Sequence, residues 1–174
     1  MERSDQHLLI DGYNMIHGIS HLRSILRESA EAACDALVQM ARTIHDEDGA
    51  RVTIVFDGRE KKLQVEHPCR RGTFSVLYAP RQLSADGVIE QMLERSPDPS
   101  KVTVASRDNM IREAAAARGS FSVDEADFED WVGRCERRTH TRLRPARNHN
   151  SQNTLGDLWA TAMEPEGGKA DEPE

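Results

Sequence analysis

Three short apolar runs, each ending on or just before an aspartate, constrain this chain more than anything else in it. They are Leu8-Leu9-Ile10-Asp11-Gly12-Tyr13-Asn14, Val52-Thr53-Ile54-Val55-Phe56-Asp57-Gly58 and Val102-Thr103-Val104-Ala105-Ser106-Arg107-Asp108. A short β-branched or aliphatic run without polar alternation reads as a strand covered on both faces. Between the runs lie helical patterns. Ser29 precedes a stripe of Ala33, Leu37, Met40, Ala41 and Ile44, and Ser84 precedes Val88, Ile89, Met92 and Leu93. A further helix over Asn109–Arg118 ends at Gly119, and Asp124 caps one carrying Phe128, Trp131, Val132 and Cys135. Phe74–Tyr78, ended by Pro80, and Phe121–Val123 complete the strands, and Ile19–Arg27 is a loop or short helix. Strands alternating with helices predict an α/β fold, a mainly parallel central sheet between two helical layers.

Parallel strands joined by right-handed crossovers all point the same way. The pattern therefore brings Asp11, Asp57 and Asp108 to one sheet edge. Asp86 opens the helix that leads into the Val102 strand, so it belongs to that edge as well. Each residue has an ordinary reading taken singly. Asp-Gly is a turn signal, Asp86 suits a helix N-terminus, Asp108 caps the next helix, and Asn14 satisfies a turn. Capping does not explain why all four share one edge. Crowded carboxylates repel, and a hard divalent cation such as Mg2+ or Mn2+ removes that conflict.

Charge and cysteine content narrow the classes further. The 174 residues carry a net charge of −7, but Ser151–Glu174 holds six acids and one base, which leaves −2 for residues 1–150. The folded part is thus open to a polyanionic partner. Cys34, Cys69 and Cys135 are odd in number, far apart and without a C-x-x-C pair, which argues against a disulfide framework or zinc site. The polar start and the lack of a long apolar run predict a cytoplasmic protein that does not enter a membrane. Residues 1–147 are expected to form the domain. Residues 148–174 are expected to form an acidic, disordered tail, with Leu155, Leu158, Trp159 and Met163 at helical spacing inside it.

Asp11-Gly12-Tyr13-Asn14, Phe56-Asp57-Gly58, Ala85-Asp86-x-x-Ile89-Glu90 and Ala105-Ser106-x-Asp108, in this order, resemble the YacP-like NYN domain family of PIN-like nucleases from about Leu8 to Arg142. The resemblance implies a three-layer α/β/α nuclease fold that cleaves RNA with metal ions, in a family with ribosome-associated members. It implies metal-site roles for Asp11, Asp57, Asp86 and Asp108, with Asn14 and Ser106 orienting the site. The expected function is a metal-dependent endoribonuclease whose partners are RNA and, in ribosome-associated mRNA cleavage, the ribosome.

Arg59, Lys61, Lys62 and Arg107 leave strand ends, so they are the best-placed cations for flanking phosphates. Arg70, Arg71 and Arg81 are on nearby loops, and Arg134, Arg137 and Arg138 read as a solvated helix face. The seven histidines show no metal-ligand spacing, although His17 is close to Asn14. One rival is a non-catalytic RNA- or ribosome-binding module with the same fold, which has no use for clustered negative charge facing phosphate. The other is a haloacid-dehalogenase-type phosphohydrolase, which wants a second acid where this chain has Tyr13.

Overall fold

The computed structural model describes residues 5–69 and 72–143. Six strands form one sheet in the order β3-β4-β2-β1-β5-β6. They are β1 (His7–Asp11), β2 (Arg51–Asp57), β3 (Gln64–Glu66), β4 (Phe74–Ala79), β5 (Val102–Ala105) and β6 (Phe121–Val123). All pairings are parallel except β3 with β4. The helices are α1 (Gly12–Gly18), α2 (Ser20–Leu26), α3 (Ala30–Asp48), α4 (Ala85–Glu94), α5 (Asn109–Ala117) and α6 (Glu125–Leu143). Contacts group Met1–Thr141 into one unit and Arg142–Glu174 into another, of which only the end of α6 is described. The expected tail with Leu155, Leu158, Trp159 and Met163, and also Arg70, Arg71, Arg144 and Arg147, lie outside the described residues.

The alternation of side chains along each strand sorts the core into two layers. Leu8, Ile10, Val52, Ile54, Phe56, Phe74 and Val76 face α1, α2, α3 and α6, meeting Met15, Leu22, Leu37, Ile44 and Phe128. Leu9, Val55, Leu77, Val102 and Val104 face α4 and α5, meeting Val88, Ile89, Leu93 and Ile111. This is the three-layer α/β/α arrangement. The helix limits follow local chemistry: Ser29 and Ser84 accept from Ala32 and Gly87 amides, and Gly49 ends α3 in the left-handed region at φ 69°. No helix among the described residues is long and apolar enough to cross a membrane.

Two elements differ from the sequence reading. α1 begins at once after Asp11 instead of a turn, because Asp11 itself caps it, accepting from the Asn14 amide. β3 forms within what reads as a polar loop. Its three residues are all exposed on the sheet edge, so no buried face writes a hydrophobic pattern into them. Backbone pairing of Gln64–Glu66 with Tyr78–Val76 alone defines it.

Gly58 marks where β2 must leave the sheet beside β4. A Cβ there would meet the carbonyl oxygen of Ala79 at 2.2 Å, and backbone on both sides cannot give way. Gly58→Ala is therefore expected to cost roughly 1–3 kcal/mol, as overpacking does. The measurement is a urea midpoint at unchanged slope, and a midpoint equal to the parent's would contradict this packing.

Candidate active site

β1 is where the direction of chain winding reverses. From it the chain builds outward through β2 and β4, then crosses back to place β5 and β6 on the other side. Such a reversal opens a crevice beyond the carboxyl ends of the two diverging strands, here β1 and β5. Asp11 ends β1, and Ser106 and Asp108 follow β5, with Ile10 and Ala105 paired in register. Asp11 is 3% exposed and Ser106 is fully buried. Asp57, at the end of β2, and Asp86, in the first turn of α4, are exposed, and Asp108 is half-buried.

A continuous set of hydrogen bonds holds these groups. Ser106 Oγ donates to Asp11 Oδ2 at 3.3 Å and accepts from the Asp108 amide at 3.1 Å. The Asn14 amide donates to Asp11 Oδ1 at 3.4 Å. The Asn14 side-chain oxygen accepts from the Arg107 amide at 3.0 Å. Asn14 and Ser106 thus tie the start of α1 to the loop after β5 from two sides of Asp11. Asp108 Oδ1 caps α5 through the Met110 amide at 2.8 Å. Asp57 Oδ1 accepts from the Ala85 amide at 2.8 Å, which fastens the start of α4, and with it Asp86, to the end of β2. The capping role anticipated for Asp108 is real, and Asp11, read as a turn residue, caps α1 as well. The two caps also fix the carboxylates in place, so capping and convergence are one arrangement.

The electrostatics show that the four acids sense one another. Burial first, then Asp86, pushes Asp11 up to about 7, Asp57 adds to the rise, and the bonds from Asn14 and Ser106 pull against it. Asp86 is exposed as a whole, yet partial burial of its carboxyl raises it, followed by Asp108 and Asp57, with a bond to Asp11 opposing. Glu90, one turn further along α4, contributes to the same rise. It stands four residues after Asp86 on a helix, the spacing that signals a shared face. Among the described residues no group of three His, Cys, Asp or Glu side chains is already gathered as a metal cluster. The donor set nonetheless fits a hard cation in its chemistry. It consists of carboxylates that repel, one of them buried and held toward its protonated form.

The cations are arranged around this edge. Arg59, Lys61 and Lys62 are exposed on the segment between β2 and β3, and the Arg81 amide donates to the Glu60 carbonyl at 2.7 Å, which fastens that segment near the start of α4. Arg107 is exposed between Ser106 and Asp108, its stem packed near Gly18 and Glu125. Arg138 has a structural task instead of a merely solvated one. It pairs with Asp48 at 2.7 Å, the same carboxylate that accepts from Trp131 Nε1 at 2.7 Å, and so joins α6 to α3. His17 is exposed.

A folded Asp11 titrating near 7, against 3.8 for the ordinary carboxyl, binds a proton more tightly than the unfolded chain does. The stability this contributes is complete below about pH 4 and is lost as pH rises through 7. Asp11→Asn, which retains a capping side chain, removes the loss. Its melting temperature minus the parent's is expected to be near zero or negative at pH 4 and positive at pH 8, in buffer with a chelator. Thermal melts across that range check this, and a difference independent of pH contradicts the raised titration of Asp11.

The comparisons with known proteins agree with this fold. The YacP-like NYN domain profile matches residues 8–165. The chain is 30% identical over 143 residues to the uncharacterized protein YacP of Bacillus subtilis, covering 79% of this chain and 81% of that one. It superposes on the crystal structure of Rae1 (YacP) from Bacillus subtilis with a TM-score of 0.66 at 26% identity, covering 90% of this chain and 88% of the other. A single-residue variant of that protein gives a TM-score of 0.66 at 24% identity, with 89% of each chain covered. Sheet order, crevice and aspartate positions thus stand in a chain that belongs to the YacP-like NYN domain family of PIN-like nucleases.

Proposed function

We propose that this protein is a metal-dependent endoribonuclease that hydrolyses RNA phosphodiester bonds in the cytoplasm. The observation that supports this reading is the mutual electrostatic effect among Asp11, Asp57, Asp86 and Asp108 at one sheet edge, with Asp11 buried and pushed up to about 7. Mg2+ or Mn2+ held by these four aspartates would lower the pKa of a bound water and offset charge developing at phosphorus. The chain's own groups do the rest. Ser106 and the Asn14 amide hold the Asp11 carboxylate in one orientation. Asp57 and Asp108 each commit Oδ1 to a backbone amide, which leaves Oδ2 to take a ligand or the proton of an attacking water. Arg59, Lys61, Lys62 and Arg107 bind the phosphates on either side of the cut.

A strand presented by the ribosome is the finer form of this proposal, and adding ribosomes to the cleavage assay tests it. The rival reading, a non-catalytic RNA- or ribosome-binding module, draws on the lack of an assembled three-ligand cluster among the described residues. Activity separates the two. Asp11→Asn and Asp108→Asn keep side chains able to cap α1 and α5, so the fold should persist. Each is expected to abolish manganese-dependent cutting of a labelled RNA while circular dichroism stays that of the parent. Cutting at the parental rate by both variants would place the chemistry elsewhere.

Binding supplies a second check. In an Asp11→Asn background, changing Arg59, Lys61 and Lys62 together to Ala is expected to lower single-stranded RNA affinity. It should also flatten the dependence of log K on log salt by about 0.7 per lost phosphate contact. Fluorescence anisotropy over a salt series reads both. An unchanged slope would move the RNA path away from this loop, toward α6.

A further inference from the structure

Both tyrosines of the chain stand at the same sheet edge as the aspartates. Tyr13 lies in the first turn of α1, two residues after Asp11. Tyr78 is next to last in β4 and pairs in register with Phe56, the residue before Asp57. The three rings form one group. Phe56 stacks on Tyr78 with centroids 5.8 Å apart and planes 25° apart, and it meets Tyr13 edge-on at 5.3 Å and 68°. Phe56 is fully buried, whereas Tyr13 and Tyr78 are half-buried. Gly12 makes the group possible, because a Cβ there would stand 2.3 Å from the Phe56 ring. The charges of Arg59 and Asp57 reach the Tyr13 phenol, and the two phenols act on each other.

A buried ring that seats two half-exposed rings holds them with little freedom left to lose on binding. Covering Phe56 alone does not require two half-exposed rings, and smaller apolar side chains would serve. Tyr13, whose hydroxyl bonds with Cys34 and feels Arg59 and Asp57, and Tyr78, whose phenol lies near Glu66, each keep a half-exposed aromatic body with a polar tip. The cations of this edge provide for phosphates, while nothing else described at the site provides for bases. Stacking on aromatic side chains accepts any base and suits a single strand.

We infer that Tyr13 and Tyr78, seated on Phe56, form a stacking platform for one or two nucleobases of a single-stranded RNA next to the phosphate being cut. This inference rests on the nuclease reading above.

The test uses the full chain carrying Asp11→Asn and a labelled single-stranded RNA. A set of strands is made in which each position in turn lacks its base. At one or two positions the missing base is expected to weaken binding by about five- to a hundredfold. Tyr13→Leu or Tyr78→Leu should reduce that penalty to within about twofold, by weakening the intact strand and leaving the base-less strand unchanged. Tyr13→Phe and Tyr78→Phe should retain it. A flat profile in the parent, or a penalty that survives both Leu changes, overturns the platform. Should the Leu variants fail to fold, photo-crosslinking of 5-iodouridine RNA to the Asp11→Asn protein decides. Crosslinks at Tyr13 or Tyr78 are required, and crosslinks found only elsewhere overturn the inference. Metal-dependent cutting by the parent with a flat profile removes the platform and leaves the nuclease reading. Absence of both binding and cutting, with ribosomes present or not, removes both.

Discussion

The buried carboxylate of Asp11 is the constraint on which the edge of this fold depends. A charge 3% exposed must be paired, hydrogen-bonded or protonated, and among the described residues no cationic side chain is bonded to it. Its partners are neutral donors, the Asn14 amide and the Ser106 hydroxyl. Both come from segments that would otherwise be free to separate, the start of α1 and the loop after β5. Asn14 reaches further to the Arg107 amide, and Ser106 to the Asp108 amide, so one carboxylate organises the join between the two strands at the winding reversal.

The same atoms serve the fold and the site. Oδ1 of Asp57, Asp108 and Asp11 each takes a helix-start amide. That brings carboxylates on neighbouring segments within electrostatic reach of one another. Burial first, and then repulsion from neighbouring carboxylates, raises Asp11 and Asp86, and the fold tolerates it. A pure scaffold gains from Asp over Asn or Ser at these caps only the modest helix-dipole attraction, because all three are good N-caps and the neutral ones carry no mutual repulsion. The choice of Asp at all three positions, with Asp86 beside them, is what a structural role alone leaves unexplained.

Much of this was legible in the residues, for a physical reason. β1, β2 and β5 are short apolar strands that end on polar residues, and a chain-local pattern of that kind survives in the sequence. Ser29, Ser84 and Gly119 likewise mark their helix ends by local chemistry. What was not legible depends on partners remote in the chain. β3 exists only because β4 offers an edge. The Tyr13–Phe56–Tyr78 group joins three separated segments, and its one local sign, Gly12, reads equally well as part of a turn. Arg138 looked like a solvated charge because Asp48, which holds it, is 90 residues away. The bonds of Asn14 and Ser106 were expected only as orientation of the site, without the seam they form.

Charge is layered at this edge, and the layering bears on what can approach it. The acids are set at the strand ends and helix starts, with Asp11 innermost. Arg59, Lys61, Lys62 and Arg107 are exposed on the connecting segments. A small phosphate ester drawn to the inner acids alone would meet net repulsion. A longer polyanion can place its outer phosphates on the cations while one linkage crosses the acidic centre, and the favourable contacts offset the unfavourable one. Crossing becomes easier still when a divalent cation neutralises the centre. Such an arrangement selects for chain length before it selects for sequence. The aromatic pair on Phe56 belongs to the same logic, since stacking holds a strand by features every nucleotide shares. Polyanion contacts outside, carboxylates inside and aromatic rings to one side together favour an RNA strand over a small phosphorylated metabolite, although the first strand ends on an aspartate as it does in phosphohydrolases.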